Sequence, residues 1–224
     1  TSRMSITAKD VKALRDATGA GMMDAKKALT ECDGDMEAAT QMLREKGLAK
    51  AAARSDREND EGTIALAVSG NTAAFVQIKT ETDFSAKNEA VTGLANSIAE
   101  AVLVDGMSAV EAHASALEDL QVTIKENIAL GSVERIEAAE GNILDTYLHR
   151  QDGRGVNAVI VEAAGVGQDE LHQVALHIAF AKPTYLSSDE VPADEIEKER
   201  NSLLEITKAE GKPEQAWAKI VDGR

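Results

Sequence analysis

Cysteine is almost absent from this chain: Cys32 is the only one in 224 residues. No intramolecular disulfide can form, and that usage fits a reducing compartment. Aromatic residues are scarce as well, at 3%. The core must therefore be built from Ala, Val, Leu, Ile and Met, which suit closely packed helix faces. No apolar run approaches the roughly 20 residues needed to cross a bilayer. The N-terminus carries no apolar signal core, so the chain reads as cytoplasmic. An excess of positive charge is missing too, since the net charge is -15. A nucleic-acid binder needs a basic face to neutralise phosphates, so the balance argues against that role and against an anionic membrane surface. No glycine-rich loop ending in Lys-Ser or Lys-Thr is present to cradle a phosphate. Gly165-Val166-Gly167 lacks the third glycine of a dinucleotide fingerprint and reads as a turn.

What is present suffices for a packed core: 43% hydrophobic and 28% charged residues. The length suits one large domain or two to three small ones. Charge is uneven. Residues 1–57 hold 11 Lys+Arg against 9 Asp+Glu, while the remainder is strongly acidic. A mildly basic module on an acidic body points to two surfaces with different tasks. Thr1, Ser2 and Arg3 precede Met4, read as a remnant of expression, and are set aside.

The spacing predicts three short helices over residues 5–54. Thr7, with Asp10 three places on, can cap the first, and Val11, Leu14 and Ala17 form its apolar face. After Gly19-Ala20-Gly21, the second helix carries Met22, Ala25, Ala28, Leu29 and Cys32. Asp33-Gly34 ends it. Asp35 can cap the third, which buries Met36, Ala39, Met42 and Leu43 and stops near Gly47; Ala49–Ala53 adds a further turn. Residues 54–62 read as a charged linker. Alternation at Ile64, Leu66 and Val68, then Gly70-Asn71, then Ala74, Val76 and Ile78 predicts a hairpin.

After a loop over Thr80–Ser85, Ser85 is expected to cap a long helix bearing Ala90, Val91, Leu94, Ile98 and Val102. Ser108 with Glu111 suggests another capped helix, and a further one is expected over Val122–Asn127. Strand patterns return at 130–138, 143–149 and 156–163, with Gly141-Asn142 and Asp152–Gly155 as turns. A helix with Leu171, Val174, Ala175 and Ile178 ends at Lys182-Pro183. Ser188 and Pro192 open a charged helix with Ile196, Leu203 and Ile206. Gly211-Lys212-Pro213 turns the chain into a last helix with Ala216, Trp217, Ile220 and Val221, making a helical hairpin. The fold class is α+β. Its domains are a helical module (4–56), a first α+β subdomain (57–141), a second, incomplete one (142–183) and the hairpin (184–224).

No catalytic constellation stands out. His172 and His177 are five apart and make a poor metal pair on a helix. His113 reads as solvated, and Cys32 reads as core packing. Two places remain unusual. Thr82-Asp83-Phe84-Ser85 sets one of the three phenylalanines in a predicted loop beside an acid. Phe84 either packs on its own helix as a staple or projects as a wedge. Tyr147-Leu148-His149-Arg150 ends a strand before a glycine-rich turn, where His149 is either a plain exposed residue or a second contact. A hydrolase using His149 with Asp83 has no nucleophile motif to support it.

These residues carry a family resemblance. Leu14–Leu29, LRDATGAGMMDAKKAL, resembles the N-terminal signature of bacterial translation elongation factor Ts, and Ile78–Lys87, IKTETDFSAK, resembles its second signature. The likeness runs on through YLHR at Tyr147–Arg150, HIAFAKPTYLS at His177–Ser187 and EGKPEQAWAKIVDGR at Glu210–Arg224. It implies a ubiquitin-associated-like N-terminal module, two α+β subdomains and an inserted helical hairpin. It also implies guanine-nucleotide exchange on elongation factor Tu, in its GDP-bound and nucleotide-free forms. No bond chemistry, cofactor, metal, small-molecule substrate, direct nucleic-acid contact or membrane contact is expected. By motif, Arg15 and Lys26 would contact the partner's nucleotide-binding domain. Thr82, Asp83, Phe84 and Ser85 would displace its magnesium, and His149 would sit at the same contact region. Ser85 stands where the family usually has Val. The stretch Glu126–Tyr147 is slightly longer than in the best-known members. Family chains normally continue past the hairpin, a part absent here. A module of this type on a scaffold without exchange activity, a binding adaptor, is the competing reading.

Overall fold

A computed structural model describes residues 6–224; Thr1–Arg3 and the first two residues of the predicted helical module, Met4 and Ser5, lie outside the described residues. The chain falls into two compact units, one reaching Phe180 and the other Ala181–Arg224.

The first unit opens with α1 (Ala8–Thr18), α2 (Met22–Glu31) and α3 (Met36–Ala52). The Thr7–Asp10 capping box forms, with the Thr7 side chain accepting from the Asp10 N–H and the Asp10 carboxylate accepting from the Thr7 N–H. Asp35 caps α3 through the Glu37 and Ala38 N–H groups. Val11, Leu14, Ala25, Ala28, Leu29, Ala39 and Leu43 make the module's core, with Cys32 packed at its edge. Ala17 and Met36, expected inside, are exposed, because their positions face away from the three-helix contact. Gly47 does not end α3, which runs unbroken to Ala52. A Cβ at Gly47 would lie 2.7 Å from Val122 Cγ1, so glycine serves a close helix approach there.

The charged stretch after α3 is pinned, not a free linker. Arg54 donates to the Gln121 carbonyl, and the Asn127 amide donates to the Ser55 and Arg57 carbonyls. It ends early, since β1 (Glu61–Ser69) begins inside it. β1 pairs antiparallel with β2 (Thr72–Thr80) across the Gly70-Asn71 turn, and β2 pairs antiparallel with β3 (Ala129–Glu137). The expected inward face of β2 holds, with Ala74, Val76 and Ile78 fully buried. On β1 the faces are exchanged: Thr63 and Ala65 are buried, and Val68 is exposed. Bulk on β1 therefore does not mark its core side; small residues do, because a helix lies against them.

That helix is α5 (Glu89–Asp105), which buries Val91, Ala95, Ile98, Ala99 and Val102. Its cap is Asn88, not Ser85. Ser108 and Glu111 form no capping box; residues Met107–His113 make a 3-10 turn that starts after Gly106. The following helix, α6, spans Ala114–Ile124, earlier than the expected Val122–Asn127. His113 is half-buried, its Nδ1 at 3.0 Å from the Ala109 carbonyl.

A second antiparallel ribbon follows, β4 (Ile143–Gln151) with β5 (Arg154–Ala163), closed by Asp152-Gly153, both at positive φ. α7 (Gln168–Ala181) covers it through Ala175 and Ala179 against Val159. Gly155 lies so close to β1 that a Cβ would run into the Ile64 carbonyl, and Arg154 donates to the Gly62 carbonyl and to Glu61 Oε2 (2.9 Å). Val174, expected inside, is exposed.

The second unit holds α8 (Ala193–Ala209) and the short α9 (Trp217–Asp222). Their seam buries Thr207 and Val221 and is closed by Arg200–Asp222 (2.5 Å) and Arg224–Glu210 (2.7 Å). Ile196 and Ile206, expected in the seam, are exposed. Among the described residues no helix is long and apolar enough to cross a membrane.

Candidate functional site

The end of β2 hands the chain to a single helical turn, α4 (Asp83–Ala86). Thr82 caps it, its Oγ1 accepting from the Ser85 N–H at 3.2 Å. Backbone bonds from Ala86 to the Thr82 carbonyl and from Lys87 to the Asp83 carbonyl, both 3.1 Å, close the turn. One turn has only two sides. Here Ser85 and Ala86 face inward and are buried, so Phe84 faces outward and is 81% exposed. The staple alternative for Phe84 is thereby excluded. Ser85 is not a cap; its polar side chain sits under the turn at the position where the family resemblance expects Val.

Two anchors hold this turn, one arriving from a distant part of the chain and one adjoining the turn in sequence. The first is Glu126, just after α6. Its carboxylate accepts from the Glu81 N–H (3.1 Å), the Thr82 N–H (3.2 Å) and the Thr82 hydroxyl (2.8 Å). Glu81 reciprocates by accepting from the Asn127 N–H at 2.6 Å. Burial pushes the Glu126 carboxyl up, but the Ser85 and Thr82 hydroxyls and the backbone donors outweigh it and hold it below the ordinary glutamate value.

The second anchor is Lys87, which meets Asp83 at 2.7 Å and Asp152 of the β4–β5 turn at 3.5 Å. Hydrogen bonding to Lys87 lowers the Asp83 carboxyl, and the same bond raises Lys87. The Lys87 ammonium also lies 5.9 Å from the Phe84 ring centroid, within cation–π range. The result is an apolar side chain presented to solvent on a backbone fixed from two directions.

His149 lies on the strand that leads to Asp152. It is exposed, beside a register shift between His149 and Arg150, and stacks on Tyr147 with ring centroids 6.3 Å apart. The structure thus brings Thr82, Asp83, Phe84 and Ser85 together in one turn and ties that turn to the hairpin that carries His149. Arg15 and Lys26 belong instead to the three-helix module. Arg15 pairs with its neighbour Asp16 at 2.6 Å, and Lys26 is exposed on α2.

Glu126, Lys87 and Asp152 were missed in the sequence. The Asp83–Lys87 spacing of four was the one available signal. Among the described residues no group of His, Cys, Asp and Glu side chains could hold a metal ion. His172 is paired instead with Asp145, at 2.8 Å.

The site is thus an exposed aromatic on a braced turn. Comparison with known proteins gives the family. The model of the family described as Elongation factor TS matches residues 81–224. Elongation factor Ts of Dinoroseobacter shibae is 44% identical, over 99% of this chain and 78% of the relative. The Cutibacterium acnes protein of the same name is 47% identical, over 99% and 84%, and that of Clavibacter michiganensis 41%, over 98% and 83%. The chain belongs to the elongation factor Ts family, a family of translation elongation factors.

Proposed function

We propose that this chain is a guanine-nucleotide exchange factor for elongation factor Tu, acting in the cytoplasm by binding alone. It engages the GDP form, disturbs the magnesium and phosphate site through the Asp83–Phe84 turn, and holds the emptied partner until GTP enters. The observation that carries this reading is Phe84, 81% exposed on a turn fixed by Glu126 and Lys87. Bound magnesium demands near-octahedral geometry, so small shifts of the loops supporting it weaken it sharply. A wedge does this only if it cannot yield itself, which the two anchors provide.

The energy comes from differential affinity. A protein that binds the nucleotide-free partner more tightly than the loaded one must weaken nucleotide binding by the same factor. In this reading Thr82 and Ser85 set the turn and Asp83 fixes Lys87. His149 makes a neighbouring contact. The module of residues 4–56, ubiquitin-associated-like by resemblance, docks through Arg15 and Lys26 on the nucleotide-binding domain. Residues 57–141 and 142–183 form the two core subdomains, and 184–224 the helical hairpin.

The test is to mix the chain with elongation factor Tu preloaded with fluorescent GDP. Accelerated release supports exchange. Binding without acceleration supports the adaptor reading instead, and absence of both would overturn the proposal.

A further inference from the structure

α6 ends on Lys125, whose φ of 64° turns the chain out of the helix. Just beyond, Ile128 is fully buried, and its carbonyl accepts from the Gln121 amide at 2.8 Å. Asn127 sits between these two fixed points, and its polar groups reach two other parts of the chain. Its side-chain amide donates to the Ser55 carbonyl (3.0 Å) and the Arg57 carbonyl (2.6 Å), in the segment that leaves α3. Its carbonyl accepts from the Asn59 amide at 3.4 Å. Its backbone N–H donates to Glu81 at 2.6 Å, beside the Phe84 turn. Arg57 also meets Glu81 at 3.6 Å. Glu126, one residue earlier, holds the Thr82 hydroxyl at 2.8 Å. The exit of the helical module and the base of the turn therefore meet at two consecutive residues. The module itself is seated on α6, where Gly47 admits Val122 and Arg44 meets Ser115 (2.9 Å) and Asp119 (3.3 Å). The segment between α3 and β1 is the natural joint between module and sheet, and Asn127 holds the backbone of that joint.

We propose that Asn127 is a positioning residue that makes the helical module and the Phe84 turn one stiff body, so that docking of the module drives the wedge. The inference rests on the exchange reading given above. A flexible joint would let the module add affinity alone, through effective concentration. A stiff joint lets binding energy gained at one place be used for distortion at another. Asn127 is suited to this because it binds main-chain carbonyls, which cannot swing away as side chains do. Its own backbone is held by the buried Ile128 and by Glu81.

The experiment measures release of fluorescent GDP from elongation factor Tu over a range of concentrations of the full chain. Asn127→Ala removes the two side-chain bonds and keeps the N–H bond to Glu81. It should lower the maximal release rate about fivefold, the lower end of coupling between sites, and shift the half-saturating concentration by less than about twofold. A variant that was merely less folded would need more protein yet reach the unmodified maximum. Asn71→Ala, which loses a side-chain bond to the Asn142 carbonyl at the β1–β2 turn, should change neither quantity. If Asn127→Ala does not fold, amide hydrogen exchange of the unmodified chain decides. The Arg57, Glu81, Thr82 and Asn127 amides should then open as one unit, with protection within about threefold of one another. Independent opening of Arg57, an unmodified maximal rate with Asn127→Ala, or an equal loss with Asn71→Ala would overturn the proposal and leave the exchange reading standing. Failure of the unmodified chain to accelerate release would overturn both.

Discussion

The hairpins β1–β2 and β4–β5 share a backbone plan, nine or ten residues per strand and a two-residue turn, but differ in support. The first is flanked by β3 and packed under α5 and α6, in a core that includes Val76, Ile78, Ile98 and Val102. Among the described residues the second pairs with no further strand within its sheet; its buried cluster is the smaller Val159, Ala175 and Ala179, with Leu144 and Leu171 also buried. The Phe84 turn grows from the well-supported hairpin and only leans on the other, through Asp152. If Phe84 acts as the proposed wedge, it needs a stiff base, whereas the proposed neighbouring contact at His149 does not.

The contrast can be broken at its strongest point. Ile78→Ala empties a fully enclosed position and should cost about 3 kcal/mol, whereas Val159→Ala in the thinner core should cost about 1 kcal/mol. Urea unfolding monitored in each hairpin measures both, and equal losses would erase the distinction.

Glu126→Gln comes next, at about 1–2 kcal/mol, because it weakens the charge-assisted bonds to Thr82 and Glu81. Folding lowers the Glu126 pKa, so its stabilisation is complete above the ordinary value of 4.5 and is lost as pH falls through the lower folded value. The variant should flatten the stability profile in that acid window; an unaltered profile would show that Glu126 is not an anchor.

A further effect, of comparable size, concerns the module. If Lys26 faces an acidic partner surface, Lys26→Glu should weaken complex formation about tenfold at low salt and less at high salt. An affinity unchanged at low salt would remove Lys26 from the interface.

The sequence was most legible where a local rule acts alone. Thr7 and Asp35 are caps, Gly70-Asn71 and Asp152-Gly153 are turns, and β2 alternates as its burial does. It was least legible where tertiary contact decides. Gly47 reads as a stop but permits the approach of Val122. The large residues of β1 lie on the side away from α5, a choice the alternation could not make, since a period of two has two phases. At the site, Thr-Asp-Phe was conspicuous, and the Thr82 cap could have been read in place of Ser85. The exposure of Phe84 could not be read from sequence. It depends on Ser85 and Ala86 being taken inward and on Glu126, which arrives from beyond α6.

The most direct measurement is release of fluorescent GDP from elongation factor Tu with the Phe84→Ala variant. Removing a side chain that is already in solvent should move the unfolding free energy by no more than about 0.5 kcal/mol. Nucleotide release should nonetheless slow by at least about tenfold, roughly 1.4 kcal/mol of lost coupling. Release at the unmodified rate from a folded variant would show that the exposed aromatic does not open the partner.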